Sequence, residues 1–546
     1  MKRMIFITMM IAFCLNMAVI GQTDPKQKGL DAITMDAIKG QLEFLASDWT
    51  EGRQTGERGM YLAGDYVASM FKVFGIAPGG DPSGFGGGGA RGGQVQGQPS
   101  RTYFQNFSLI ETVSVGATTL TIKKGNREMT FQEGVDFTTS RASATSKFEA
   151  QVVFVGYGIN DKDLGINDFS GLDVKGKVIL RLTGFPGEND PASPMYKKIV
   201  KENIIAARTD VARKKSVALE GLGITGIIEV SPGTDIGKRL GIQRDGINLS
   251  YNEPSPRRTT STGLRMESAT IPTNSVNIAV NDRLAAYILQ DSGIDIAKYI
   301  TDAAAGTVKP RSLVLASNAI ISTQVDARRV RVRNVVAVIE GERTDEFVAV
   351  GAHMDHMGME PGVVWNGADD NASGTVGVVM IAKAIAATGV KPKRTIIFCA
   401  WTAEEKGLIG SAYFAKYPTM GKISDYKFYL NYDMIARDVA TDTLKNKAGM
   451  QFTSTYPKIE EWTKTNINKY KINLDVSFRG SERPSGGSDF SSFSAFQVPV
   501  AAWMAAMHPD YHKATDSVEK VNWEKMQNII RIGFLQVWDA ANNDLK

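Results

Sequence analysis

The sequence predicts an α/β protein built on a mostly parallel sheet with helices on both faces, interrupted by a separate β-rich unit. Three observations carry this expectation. From Asn334 onward, short apolar runs alternate with amphipathic stretches, the pattern of strands joined by crossover helices. Between about Glu149 and Thr323 the texture changes to short apolar runs separated by Gly, Asp and Pro. Ahead of that unit, two amphipathic stretches offer apolar faces too small to form a core alone, so they are expected to pack on the later sheet.

Composition narrows the class before any element is placed. The chain has 546 residues, 43% apolar and 22% charged, which suits a soluble globular protein with a sizeable core. Its net charge of +5 is small for that length, and excludes a dominant nucleic-acid surface.

Taken in order, Lys2 and Arg3 followed by the apolar stretch Met4 to Val19 read as an export signal covering residues 1–21, so a periplasmic or extracellular location is expected. An uncleaved anchor is the weaker alternative, because the run is short for a span and carries Asn16. No later segment is long and apolar enough to span a membrane, and Cys399 would be the one cysteine left, so no intrachain disulfide is expected. Residues 22–148 form the first part of the main domain. In it Ile38, Leu42 and Leu45 recur at helical spacing, as do Ala63, Tyr66, Val67, Met70, Phe71 and Phe74. Residues 79–98 are a Gly-rich surface loop without the Lys-Ser/Thr that a phosphate cradle needs.

The β-rich unit, 149–323, has strand candidates Gln151 to Tyr157, Lys177 to Leu182 and Ile224 to Val230. Its basic stretch Lys197 to Lys215 also carries apolar residues and reads as a solvated helix face. In the second part of the main domain, 324–546, strands are expected at Asn334 to Ile339, Phe347 to Ala352, Arg394 to Trp401, Phe428 to Asp433 and Val498 to Met504. Helices are expected at Gly374 to Ala387, Ile459 to Tyr470 and Trp523 to Ala540.

The chemistry lies in where acids and imidazoles fall on this frame. His353 and Asp355, Glu404 and Glu405, Asp433 and His512 all follow the carboxyl ends of strands, the edge where open parallel sheets bind ligands. Asp369 and Asp370 sit in a Gly-rich turn that feeds a helix. The chain has only four histidines, His353, His356, His508 and His512, and all lie in these loops. Imidazole and carboxylate together suit zinc, and spread over five loops they could hold two ions bridged by one carboxylate. Each piece alone has a plainer explanation: a surface His-Asp pair, acids at a helix N-terminus, turn and cap residues. Their joint placement points to a site.

Five ordered segments carry a resemblance: Gly351-Ala-His-Met-Asp-His-Met-Gly358, Asn366-Gly-Ala-Asp-Asp-Asn-Ala-Ser-Gly374, Trp401-Thr-Ala-Glu-Glu-Lys-Gly-Leu-Ile-Gly-Ser411, Asn431-Tyr-Asp-Met434 and Tyr511-His-Lys-Ala-Thr-Asp516. They resemble the motifs of the bacterial di-zinc aminopeptidases, zinc-dependent exopeptidases. The likeness extends to Leu42 to Gly59, with its Glu-Gly-Arg. Val153-Phe-Val-Gly-Tyr-Gly158 and Gly171-Leu-Asp-Val-Lys-Gly-Lys177 resemble the protease-associated domain inserted in many such enzymes.

The resemblance implies two Zn2+ ions about 3.5–4 Å apart, with Asp370 bridging them, His353 and Asp433 on one, and Glu405 and His512 on the other. It also implies a cis peptide between Asp370 and Asn371. Glu404 would be the general base, Asp355 would accept the second ring N–H of His353, and Tyr511 would donate to the developing oxyanion. The reaction implied is removal of N-terminal residues from peptides by a metal-activated water. Carboxypeptidase or dipeptidase action on the same centre is the alternative, with Arg437, Arg479 and Arg483 as candidate forks for a terminal carboxylate. A receptor-like protein that kept the fold without catalysis is a further alternative, weakened by the complete ligand set. Where many relatives have Ser-Asp-His this chain has Ser488-Asp-Phe490, and where many have a Phe-Thr-Gly-like segment it has Met504-Ala-Ala506, changes expected to reshape the substrate pocket.

Overall fold

The computed structural model describes residues 24–83, 100–142, 145–201, 204–231, 262–267, 276–308, 313–439 and 442–546. The export signal and nearly all of the Gly-rich loop fall outside the described residues. The chain divides into two compact units, one made of the residues up to Phe107 together with Arg331–Lys546, the other of Ser108–Val330.

The first unit begins with helices α1 (Pro25–Ala32), α2 (Met35–Leu45) and α3 (Arg58–Val73). Its sheet then runs through β1 (Val325–Ile339), β2 (Arg343–His353), β3 (Arg394–Trp401), β4 (Tyr426–Tyr432), β5 (Lys447–Thr453), β6 (Asp475–Ser481) and β7 (Val500–Met504). Between these strands lie α4 (Gly374–Ala387), α5 (Ile409–Lys416) and α6 (Lys458–Tyr470), and after them α7 (Trp523–Asn542).

The spatial order of these strands is β1-β3-β2-β4-β7-β5-β6. The central four, β3, β2, β4 and β7, are mutually parallel. β1 runs against β3 because only Glu340–Glu342 separates it from β2, too short for a crossover, and β5 runs against β7. The sheet is therefore mixed, with a parallel centre.

Alternation along each strand explains the layers. Val335, Ala337, Val348, Val350, Ile396 and Phe398 face one cluster, which they share with Ile38, Leu42 and Leu45 of α2, Val67 and Phe71 of α3, and apolar residues of α4 and α7. Val336, Ala349, Ile397, Cys399 and Trp401 face the other side, with Phe414 of α5 and Phe490 and Phe493. The N-terminal helices thus pack on the sheet that begins more than 200 residues later, as their small apolar faces require.

The second unit carries an eight-stranded sheet with a parallel centre: Ser146–Phe154, Val178–Leu182, Gly226–Val230 and Val276–Val280. It starts at Ser108 rather than at 149, because Thr119–Lys124, Arg127–Phe131 and Phe137–Ala142 join the same sheet. It also holds helices at Ile204–Ala218, Asp282–Leu289 and Ile296–Ala305, which makes it α/β rather than simply β-rich. The expected solvated face is contradicted at Lys215, which is buried with its Nζ 2.9 Å from the carbonyl of Leu182.

Candidate active site

The four parallel strands converge on one rim. His353 is the last residue of β2, Glu404 and Glu405 follow β3, Asp433 follows β4, and His508 and His512 lie in the loop after β7. Asp370 comes from the turn ahead of α4, which Asn371 ties down by donating to the Tyr432 carbonyl (2.9 Å) and accepting the Gly374 N–H (2.9 Å). The Asp370–Asn371 peptide is cis, as the resemblance implies. Gly367 is required at the head of this turn. Its φ is +52°, and a Cβ there would lie 2.1 Å from the Asp370 carbonyl oxygen and 2.4 Å from the His356 ring.

The two oxygens of Asp370 face different histidines. Oδ1 lies 3.4 Å from His353 Nε2, and Oδ2 lies 3.3 Å from His512 Nε2. Asp433 Oδ1 is 3.5 Å from His353 Nε2, and Glu405 Oε2 is 3.1 Å from His512 Nε2. Ligands at about 2.0–2.2 Å from a tetrahedral zinc are about 3.3 Å from one another, so these separations match. Glu404 Oε2 stands slightly further out, 3.8 Å from His353 Nε2.

Supporting groups fix this arrangement. His353 Nδ1 lies 3.1 Å from the backbone carbonyl of Asp355, so Nδ1 donates there and Nε2 is the ring nitrogen that faces the acids. The expected partner was the Asp355 carboxylate, but its nearer oxygen is 3.9 Å away. That carboxylate instead accepts the backbone N–H groups of Glu404 (3.0 Å) and Glu405 (3.3 Å) and the hydroxyl of Thr55 (2.9 Å). The reason is geometric: the β2 and β3 loops lie side by side, and two amide donors present themselves where the ring does not.

Sequence reasoning left His356, Arg53 and Asp516 without roles. His356 is buried, with Nδ1 2.9 Å from Glu405 Oε1, so one oxygen of Glu405 is held while the other faces His512. Arg53 is also buried, and donates to the carbonyls of Met354 (2.8 Å), Asn366 (2.7 Å) and Gly367 (2.9 Å), joining the β2 loop to the Asp370 turn. Asp516 accepts backbone N–H groups from Asp369 and Asp370. The advance signal was that His356 and Asp516 stand inside the ordered motifs, and Arg53 in the Glu-Gly-Arg of the segment Leu42 to Gly59 to which the likeness extends.

The electrostatics ask for cations. Asp355, Asp370, Glu404, Glu405 and Asp433 lie almost wholly out of solvent within one site. Burial alone would lower the pKa of His353, but Glu404, Asp433 and Asp370 raise it well above its ordinary value. Burial and the neighbouring acids push Glu404 up. For Glu405 burial acts upward too, yet the bonds from His356 and His512 hold it well below the usual range. Asp370 Oδ2 is buried and makes no hydrogen bond of good geometry, which leaves an acceptor directed at a missing partner. A nitrogen and oxygen donor set of this kind fits zinc.

Of the remaining candidates, Tyr511 is partly exposed and stacks on the His512 ring with centroids 3.8 Å apart, its phenol kept protonated chiefly by burial. Arg437 is buried between Asp516 (3.2 Å) and Asp510. Arg479 and Arg483 are exposed. Phe490 lies in the apolar cluster with Trp401 and Phe493, so this departure from the relatives' pattern falls in the core rather than in a pocket.

Residues 334–535, which contain His353, Asp370, Glu404, Glu405, Asp433 and His512, match the family model for peptidase family M28. Over this segment the chain is similar to the M28 peptidases. The chain is also similar to leucine aminopeptidase 2 of Trichophyton rubrum, with 26% identity over 209 residues, 35% of this chain and 41% of the relative. With a probable leucine aminopeptidase 2 of Aspergillus fumigatus it shares 30% identity over 184 residues, 34% of this chain and 35% of the relative. The chain thus spans less than half the length of these curated relatives. In fold, it is similar to the aminopeptidase from Aneurinibacillus sp. strain AM-1, with a TM-score of 0.54, 17% identity, and coverage of 95% of this chain and 97% of the other.

Proposed function

We propose that the chain is an exported zinc-dependent aminopeptidase that removes N-terminal residues from peptides and holds two Zn2+ ions. The observation that carries this reading is the pair of oxygens on Asp370, one facing His353 and one facing His512. His353 and Asp433 would hold one ion, Glu405 and His512 the other, with Asp370 between. When bound, zinc lowers the pKa of a water and polarises a carbonyl.

The chain's own residues do the rest. Glu404, fixed through its backbone by Asp355 but not among the five ligands, takes the proton of the attacking water and returns it to the leaving amine. Tyr511, protonated, donates to the oxyanion. Unliganded oxygens of Glu404 and Asp433 receive the substrate's α-ammonium, since both oxygens of Glu405 are engaged by His356 and by the metal position beside His512.

The carboxypeptidase alternative is disfavoured by Arg437, whose guanidinium is already occupied by Asp510 and Asp516. Support for export is the sequence of residues 1–21 alone, and the described residues contain no helix long and apolar enough to cross a membrane. We read Ser108–Val330 as a protease-associated domain.

The test pairs metal analysis with two peptides. One has a free N-terminus and an amidated C-terminus, the other an acetylated N-terminus and a free C-terminus. Two zinc ions per chain and hydrolysis of the first peptide alone are expected. Release of the C-terminal residue from the second alone would overturn the reading.

A further inference from the structure

Asp516 follows His512 by four residues and is fully buried. Its Oδ2 accepts the N–H of Asp369 at 3.1 Å and of Asp370 at 3.0 Å, and its backbone carbonyl accepts the N–H of Ala368 at 3.2 Å. Its Oδ1 pairs with Arg437 Nη1 at 3.2 Å. The other arm of Arg437 pairs with Asp510, two residues before His512. Asp510 also accepts from Thr515 (2.6 Å) and Lys520 (2.7 Å). Arg437 itself stands four residues past Asp433. One guanidinium therefore grips the His512 loop on both sides of the histidine, and through Asp516 grips the backbone of the Asp370 turn.

We propose that Arg437, Asp510 and Asp516 form a positioning bracket that keeps His512 Nε2 and Asp370 Oδ2 facing each other across one metal position. The need for one is local. His512 sits in the left-handed region at φ +55° and its side chain is a third exposed, so its own backbone conformation does not favour this placement and the stacked Tyr511 ring, itself partly exposed, covers one face only. The Arg437 guanidinium lies between the two carboxylates, so the bracket is closed by an ion pair on each side. Arg437 is thereby assigned to the loops rather than to substrate. None of the three touches reacting atoms; they act through Asp370 and His512, and the metal arm of the proposal rests on the zinc reading above.

The test titrates Zn2+ into the metal-free full chain against a chromophoric chelator, and records the Co2+-substituted spectrum and the melting temperature of the metal-free chain. Wild type, Asp516→Asn, Arg437→Lys and His512→Ala are compared. For Asp516→Asn, we expect a folded metal-free chain and a loss of about 10–100-fold in affinity for one ion, the same ion weakened in His512→Ala. The Co2+ bands of that position should shift, and Arg437→Lys should show a smaller loss of the same kind. A folded Asp516→Asn chain with unchanged affinities and Co2+ bands would overturn the bracket, as would equal weakening of both ions. If Asp516→Asn does not fold, Arg437→Lys decides by the same criteria, and if neither folds the three residues support the fold as a whole and the proposal fails. Absence of zinc binding in wild type would overturn the zinc reading itself, a separate result.

Discussion

Asp355 accepts the backbone N–H of Glu404 at 3.0 Å and, with its other oxygen, that of Glu405 at 3.3 Å, so one buried carboxylate sets the direction in which both glutamates leave β3. Asp355→Ala should therefore misplace a base and a ligand together. Turnover is expected to fall about 10–100-fold, with weaker zinc binding alongside, the range seen when groups behind a metal site are removed. Steady-state kinetics at saturating zinc and a chelator titration would check it. Wild-type values in both would refute the role.

Glu404→Gln separates proton transfer from metal binding. The amide keeps the shape and cannot accept a proton, so kcat should drop about 10²–10⁴-fold while both ions stay bound. Metal content by elemental analysis and kcat on the same preparation give the answer. Near-normal turnover would remove Glu404 from the base position.

Arg53 bonds only to backbone carbonyls around it, yet it joins the segment ahead of α3 to two loops of the site. Arg53→Met would leave several buried carbonyls without donors. A loss of at least about 3 kcal/mol in the stability of the unit is expected, read from urea unfolding, with zinc affinity falling as well. A change under about 0.5 kcal/mol, the size of an ordinary surface substitution, would show that the carbonyls find other partners.

Lys215 gives the pH prediction. Burial is the main cause of a pKa lowered to about 7 from 10.5. Between those values the unfolded chain binds a proton that the folded chain lacks, so this residue makes stability rise with pH across that window, and its penalty is full below pH 7. Lys215→Met removes the penalty. The second unit should melt at a higher temperature in the variant at pH 6.5, and the difference should shrink toward pH 10. An equal difference at both pH values would contradict the burial account.

Much of the candidate site was legible because strands announce themselves in apolar runs and its acids and imidazoles follow directly: His353 after Phe347 to Ala352, Glu404 and Glu405 after Arg394 to Trp401, Asp433 just after β4. What escaped depends on contacts between distant segments. Nothing in Met354-Asp-His356 says that the first acid will hold two amides or that the second imidazole will hold Glu405. Arg53 reads as an ordinary loop cation until 300 residues later its carbonyl partners arrive. The early boundary of the second unit was missed for a different reason. Thr119–Lys124 alternates as a half-buried strand should, but its partner Arg127–Phe131 is exposed except at Phe131, and the pair carries too little apolar surface to stand out. Lys215 was misread because a run dense in charge hides the one member that turns inward.

The split of the first unit around Ser108–Val330 has a consequence for synthesis. Helices α2 and α3 leave the ribosome with Ile38, Leu42, Val67 and Phe71 ready to pack, but the sheet that covers them does not yet exist. At about 5–20 residues per second, the wait amounts to tens of seconds. During that time the contiguous second unit has every strand of its own sheet and can fold, while the N-terminal helices remain unfinished surface. The order of assembly is therefore inside out relative to the chain: the middle can close first, and the two ends of the first unit meet last, so the candidate site is complete only when the final strands and α7 have arrived. A nascent chain stalled before β7 would hold Asp370, Glu404 and Asp433 but no His512, so the cluster of acids and imidazoles would lack one of its members.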